Sequence, residues 1–379
     1  MSEFLRFYPL RSLRATWPLI AIPILISLIG IVTIHPFNGT ESLAPRQLVW
    51  LFVAIALYIT CAITDMRFIR RTPVLISGYF GILSLLVLLF LVADPNSGAK
   101  SWFDFGLFAF QPSDFAKIIL IAILAKYFSR RHIEIQHFRH IMVSAIYAGI
   151  PILLVLFEPD LGTAVILCMV WFGMILVSGV SKKHIALVFG LGLACALLLW
   201  FGGGLEPHQR ERIITSINPA ADIRGTGYNA FQATVATGSG EMFGKGIGHG
   251  TQSKLLFLPE YETDFIFAAF AEEWGFVGVV ILLSLYGILL FQLLSIARRS
   301  ATNFDTLFTL GVAILIISHV TIHAGINVGL LPVTGTTIPF MSSGGSHLVM
   351  EFIALGIVAS LSQQGRSVSR EASLQEYEG

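Results

Sequence analysis

Apolar windows separated by short polar breaks run through almost the whole chain. They predict ten helical spans, at roughly 17–35, 48–64, 73–93, 115–128, 141–157, 163–180, 185–201, 272–294, 307–328 and 346–362. A straight helix needs about 20 apolar residues to cross a hydrocarbon core, and some of these windows, 115–128 above all, fall short of that. Every break is brief except 202–264, which is polar and rich in glycine. A loop of that length is usually functional or mobile. The expected fold is all-α: a polytopic membrane protein with about ten transmembrane helices and one long extracytoplasmic loop. It forms a single unit over 1–379, with a polar tail at about 363–379.

Composition strengthens this picture. Of 379 residues, 55% are hydrophobic and only 12% charged, and the mean hydropathy is +0.78. No soluble fold of this length hides so much apolar surface, so lipid is part of the solvent. A net charge of +1 gives no basis for a nucleic-acid partner. Cys61, Cys168 and Cys195 lie inside apolar runs and read as small core residues, not as a disulfide or metal framework. Arg6, Arg11 and Arg14 precede the first apolar run, which lacks a small-residue cleavage site and reads as an uncleaved first helix. Lys and Arg concentrate in alternate short loops. By the positive-inside rule both termini are then cytoplasmic and the long loop is outside.

The acids show the reverse bias, and several abut apolar segments. LPEYETDFIFAAFAEEWGF places Glu260, Glu262, Asp264, Glu272 and Glu273 beside a long apolar run. Acids at hydrocarbon depth are expensive, and by default they are functional or paired. Asp264 and its neighbours are therefore the first place to look for chemistry. Several of Asp114, Glu158, Asp160, Asp264, Glu272 and Glu273 are expected to converge on a common outward-facing cavity, because isolated burial is too costly.

In GAKSWFDFGLFAFQPSDFAKI, Pro112 precedes a helix, Ser113 is the expected N-cap, and Asp114 sits in the first turn, three residues from Lys117. That pair either stabilises the helix start or lines a substrate cavity. Lys100 and Trp102 suit a phosphate contact and an interfacial anchor, or a headgroup-level belt. In FEPDLGTA the turn needs Pro159 and Gly162 but not Glu158 and Asp160, which either act on substrate or bond neighbouring helix ends. Arg210 and Arg212 could clamp an anionic headgroup through paired donors, or be ordinary surface charge. The run from Gly244 to Gly250 lacks the P-loop pattern and is no nucleotide site. Between 327 and 352, Pro332, Gly335, Pro339, Gly344 and Gly345 break the helix. Non-helical backbone at that depth survives only inside protein or beside a water-filled cavity. His319, His323 and Asn327 form one stripe, His347 and Glu351 another. Interhelical hydrogen bonding is the plain reading, since no base or third ligand completes a zinc site.

QPSDFAK, EPDLGT, GKGIGHGTQS, FLPEYETDFIFAAFAEEWGFVG and PVTGTTIPFMSSGGS, in that order, resemble the SEDS family (shape, elongation, division and sporulation) of RodA and FtsW, with the RodA branch favoured. The likeness covers nearly the whole chain. Ser343 departs from it, standing where a tyrosine is usual, as do Tyr261 and Glu262. The resemblance implies a peptidoglycan glycosyltransferase of the bacterial cytoplasmic membrane. Such an enzyme polymerises lipid II with undecaprenyl-diphosphate-linked glycan at the outer face, beside a class B penicillin-binding protein. The family's essential acid falls on Asp264. Acting as general base, Asp264 would need positive charge at the departing diphosphate, for which Arg210, Arg212 and Lys117 are candidates, aided by Mg2+ or Mn2+ as an electrostatic clamp. Asp114, Lys100, Glu158 and Asp160 complete the expected substrate-binding set. A lipid II flippase and a non-catalytic scaffold of the elongation complex are the competing classes.

Overall fold

The computed structural model describes residues 17–37, 43–92, 101–104, 109–130, 138–202, 210, 214, 227–255 and 257–377, with backbone alone for 37, 92, 195, 196, 199 and 364–377. Arg6, Arg11, Arg14, Lys100 and Arg212 lie outside the described residues.

Helices α1 (Trp17–Ile34), α2 (Leu43–Ile63), α3 (Thr72–Val92), α4 (Pro112–Ser129), α5 (Phe138–Phe157), α6 (Leu161–Val177) and α7 (Lys182–Phe201) come first. The short α8 (Gly227–Ser239) and α9 (Thr251–Lys254) follow, then α10 (Ile266–Arg298), α11 (Asn303–Asn327) and α12 (Gly345–Tyr377). Two-residue strands Phe103–Asp104 and Ala109–Phe110 pair antiparallel before α4. Seven of the helices are long and apolar enough to cross a membrane, and α4, α6 and α7 bring those of comparable length to ten. This is a multi-pass membrane protein.

Burial sorts the helices into two classes. The spans of α11 and α12 are 72% and 83% buried, whereas those of α2, α3 and α10 are 28% buried. The peripheral helices carry apolar residues all round, because lipid replaces water on their outer faces. The core is the contact of α11 with α4, α6 and α10, and of α12 with α2.

Within the long loop lie α8 and α9, α8 packed on α10, and α12 continues as helix to Tyr377. One expectation needs correction. Ser113 is not the N-cap of α4: Gln111 holds that position and Pro112 is already helical. A proline has no N–H to leave unsatisfied and its φ is set for the first turn, so the helix begins two residues earlier than the hydroxyl suggests.

Candidate active site

Asp264 closes a turn that leads into α10. Glu260 adopts a left-handed conformation (φ 50°), and its carbonyl accepts from the N–H groups of Thr263, Asp264 and Phe265 at 3.1–3.2 Å. Asn327, fully buried at the end of α11, grips the same turn. Its Nδ2 donates to Asp264 O at 3.1 Å and to His323 O at 2.8 Å, and its Oδ1 accepts from Ala268 N at 3.0 Å. The first turn of a helix has orphan N–H groups, and here a neighbouring helix satisfies one of them. The half-buried Asp264 carboxylate faces the irregular segment 328–344: a Cβ on Gly335, itself at φ 69°, would lie 3.6 Å from Oδ2.

That irregular segment is held by side chains, as its lack of helical bonds requires. Ser342 Oγ donates to Thr263 O at 2.8 Å and accepts from Ile338 N at 2.9 Å, and Ser343 N donates to Glu262 O at 2.8 Å. Glu351 on α12 accepts from Phe340 N at 2.7 Å. Gln47 on α2 donates to Ser342 O at 3.0 Å and accepts from Gly344 N at 3.2 Å. Beside Gln47, a recess of about 140 Å³ is lined by Arg46, Trp50 and Trp102.

Beneath this lies a buried polar cluster. Lys117 Nζ and His347 Nδ1 sit 2.9 and 3.1 Å from Asp114 Oδ1, and His347 Nε2 sits 2.9 Å from Glu351 Oε1. The His319 and His347 ring centroids are 4.9 Å apart. His319 and His323 reach the carbonyls of Thr337 and Thr336 at 3.1 and 2.7 Å. The two histidine stripes read from the sequence thus form one interhelical network, which ties α4, α11 and α12 to the segment facing Asp264. Lys117 is already paired and buried in it, which limits its service as a free cation.

The other acids do not share one cavity. Glu272 and Glu273, in the first turns of α10, hold the glycine-rich loop. Glu272 accepts from Lys245 Nζ at 2.6 Å, Thr251 Oγ1 at 3.0 Å and Gln252 N at 3.1 Å, and Glu273 accepts from Gly248 N at 2.6 Å. The loop lies so close that a Cβ on Gly244 (φ 79°) would be 2.1 Å from Glu273 O, and α10 bends at Gly275 (φ 64°) to admit it. Buried acids were satisfied locally by chain arriving from elsewhere, so burial did not require them to meet. Asp160 caps α6, accepting from Thr163 N at 2.9 Å, and also accepts from Gln111 Nε2 at 3.2 Å. Glu158 is 1% exposed, and neither carboxylate oxygen has a hydrogen-bond partner among the described residues. Arg210 lies over the Trp200 ring at 5.5 Å and donates to Trp200 O, at the end of α7.

Among the described residues no three His, Cys, Asp or Glu side chains gather as a metal-ligand set. Asn327, Gln47 and Glu351 position the site, yet the sequence singled out Gln47 in no way; its only signal is an amide inside an apolar run.

Comparison with known proteins fits this arrangement. The profile of the cell cycle protein family FtsW/RodA/SpoVE matches residues 10–367. Peptidoglycan glycosyltransferase MrdB of Escherichia coli K12 is 36% identical over 303 residues, 79% of this chain and 81% of MrdB. Stage V sporulation protein E of Bacillus subtilis is 32% identical over 360 residues, covering 92% and 97% of the two chains. Among solved structures, a peptidoglycan synthase complex described as coordinating polymerization and crosslinking superposes with TM-score 0.79 at 30% identity, over 92% of this chain and 98% of that one. RodA of Thermus thermophilus does so with TM-score 0.69 at 29% identity, over 92% and 96%. The chain belongs to the FtsW/RodA/SpoVE family.

Proposed function

We propose that Asp264 is the general base of a lipid II polymerase. The chain is a peptidoglycan glycosyltransferase, as are its relatives by name. The observation that carries the role of Asp264 is its placement. It is a half-buried carboxylate at the start of α10, its backbone locked by Asn327, facing a segment whose shape is fixed from α2, α11 and α12. A base works only when held within reach of the proton it takes, and general base action is worth about 100- to 10,000-fold in rate.

In this reading the 4-hydroxyl oxygen of an acceptor sugar attacks the anomeric carbon of a lipid-linked donor. The proton passes to the Asp264 carboxylate. The bond from anomeric carbon to diphosphate breaks, and undecaprenyl diphosphate leaves with its electron pair. Arg46, at the recess with Trp50 and Trp102, and Arg210, at the end of α7, are the cations offered to the diphosphate; Lys100 and Arg212 complete that set. Asp114, Glu158 and Asp160 shape the surroundings and do not touch the reacting atoms. A Mg2+ or Mn2+ ion belongs, in this reading, to the diphosphate substrate. The Asp264 end faces the cell exterior and both termini are cytoplasmic, as the loop charges require. The partner is a class B penicillin-binding transpeptidase, a reading supported by the likeness to a synthase complex that couples polymerization with crosslinking.

The test is purified protein in detergent, given lipid II alone with an inhibitor of other transglycosylases present. Glycan polymer formed by the native chain and absent from Asp264→Ala is expected. Polymer from Asp264→Ala at the native rate overturns the assignment, and a transporter or scaffold makes none from either chain.

A further inference from the structure

At the end of the bundle away from Asp264, where α3 begins and α4 ends, helices α3, α4 and α5 enclose a recess of about 430 Å³. Its α3 wall runs from Thr72 to Leu83. At about 1.5 Å per residue that is roughly 16 Å of helix, one leaflet of a hydrocarbon core about 30 Å thick. Helix α5 starts at the same end, and its contributions, Ile146, Tyr147 and Ile150, reach the same depth.

The walls are apolar where they need to be. Tyr79 and Tyr127 each pack edge-on against Tyr147, with centroids at 6.2 and 5.9 Å. Their hydroxyls point into protein: Tyr79 donates to Tyr147 O at 2.8 Å, and Tyr127 sits 2.9 Å from His140 Nδ1. The rings are left to line the recess with Leu83 and Ile150. The mouth carries the opposite character. Lys126 and Arg130 both line it. The Lys126 ammonium donates to Arg70 O, and Arg130 makes no ion pair among the described residues. Among the described residues the acids nearest this mouth are paired: Asp65 with Arg67, and Asp305 with Arg70 at 2.7 Å. Arg71 and Arg139, on the flanking elements, add charge of the same sign.

We propose that this recess binds an anionic glycerophospholipid of the leaflet at the basic end. One acyl chain lies along Tyr79 and Leu83, and the phosphate meets Arg130 and Lys126. A guanidinium matches phosphate oxygens with paired donors, and long basic side chains at this depth keep their charges at the interface. A zwitterionic lipid would fill the groove but leave the positive mouth unbalanced. The site is separate from the polymerase chemistry.

The test is native mass spectrometry of the full chain, released from nanodiscs holding equal phosphatidylglycerol and phosphatidylethanolamine. The native chain is expected to retain phosphatidylglycerol with a preference on the order of tenfold, the scale of one or two basic residues at an anionic surface. The double variant Lys126→Gln, Arg130→Gln should lose the preference while keeping lipid. Ile146→Trp, at a wall residue that is 59% exposed and so tolerant of bulk, should lose retained lipid of both kinds. Equal retention of the two headgroups by the native chain, or a preference that survives the double variant, overturns the proposal. Lipid retention unchanged by Ile146→Trp overturns the placement of the acyl chain.

Discussion

The two ends of the helix bundle satisfy their polar groups in opposite ways. At the Asp264 end the chain abandons helix from 328 to 344, and buried side chains on α2, α11 and α12 supply the bonds that the backbone lacks. At the other end the helices meet through short segments such as the 3-10 turn Met66–Arg70, and the charges lie near water or pair with each other. Irregular backbone pinned by Asn327, Glu351 and Gln47 has one shape, which is what a site that must place a base requires. The basic end fixes less and leaves a groove, which suits a lipid.

Removing the base should have the largest effect. Asp264→Asn keeps the size and the backbone bonds of the residue but removes the proton acceptor, so polymerisation of lipid II should fall about 100- to 10,000-fold. Melting should move little, because the side chain is only half-buried. Gel analysis of polymer alongside a melting curve checks both.

A stability contrast between the ends comes next. Glu351→Ala strands the Phe340 N–H and removes the carboxylate beside His347, all buried. Losing one partner from a buried charged cluster costs about 3–5 kcal/mol. Arg130→Ala, at the basic end, should stay within about 0.5 kcal/mol, as surface substitutions do. Equal melting temperatures for the two variants would erase the contrast. Asn327→Ala leaves Ala268 N–H and Asp264 O without their partner and should cost about 1–3 kcal/mol. Its polymerisation rate should fall more than that of an equally destabilised variant at the basic end, because the turn that aims Asp264 is loosened.

Much of this was legible beforehand, for physical reasons. Lipid demands long apolar runs, so the ten spans stand out in the sequence, and the expense of acids beside them marked Asp264. The Asp114–Lys117 pair follows from helical spacing alone, and the structure has it at 2.9 Å. What stayed hidden depends on contacts between distant segments. Glu272 finds Lys245 and Thr251 only because the glycine-rich loop folds back over α10. Gln47 acts on residues almost three hundred positions away. Asp160 was seen as either a substrate contact or a helix bond, and its N-cap geometry shows the latter at work. The cost of isolated burial argues for convergence of several acids, but that cost constrains each carboxylate singly, and most have separate partners.

Glu158 is the buried acid whose carboxylate has no partner among the described residues, and it gives the smallest and most specific test. It lies between α5 and α6, outside both spans, at the same end as Asp264. Burial pushes its pKa up to about 8, and the charge of Asp160 pushes the same way. An acid in the unfolded chain ionises near pH 4.3. Between those values the folded state holds one proton more than the unfolded state, so stability falls as pH rises from about 4.3 to about 8 and then levels off. Glu158→Gln cannot ionise and should flatten that fall. Melting of the two chains should lie closest near pH 4, whereas near pH 8.5 the glutamine variant should be the more stable. Parallel melting profiles from pH 5 to 8.5 would mean that Glu158 ionises as a surface acid does. The carboxylate would then reach water, and the seal that sets this end of the bundle apart would be open at the α5–α6 turn.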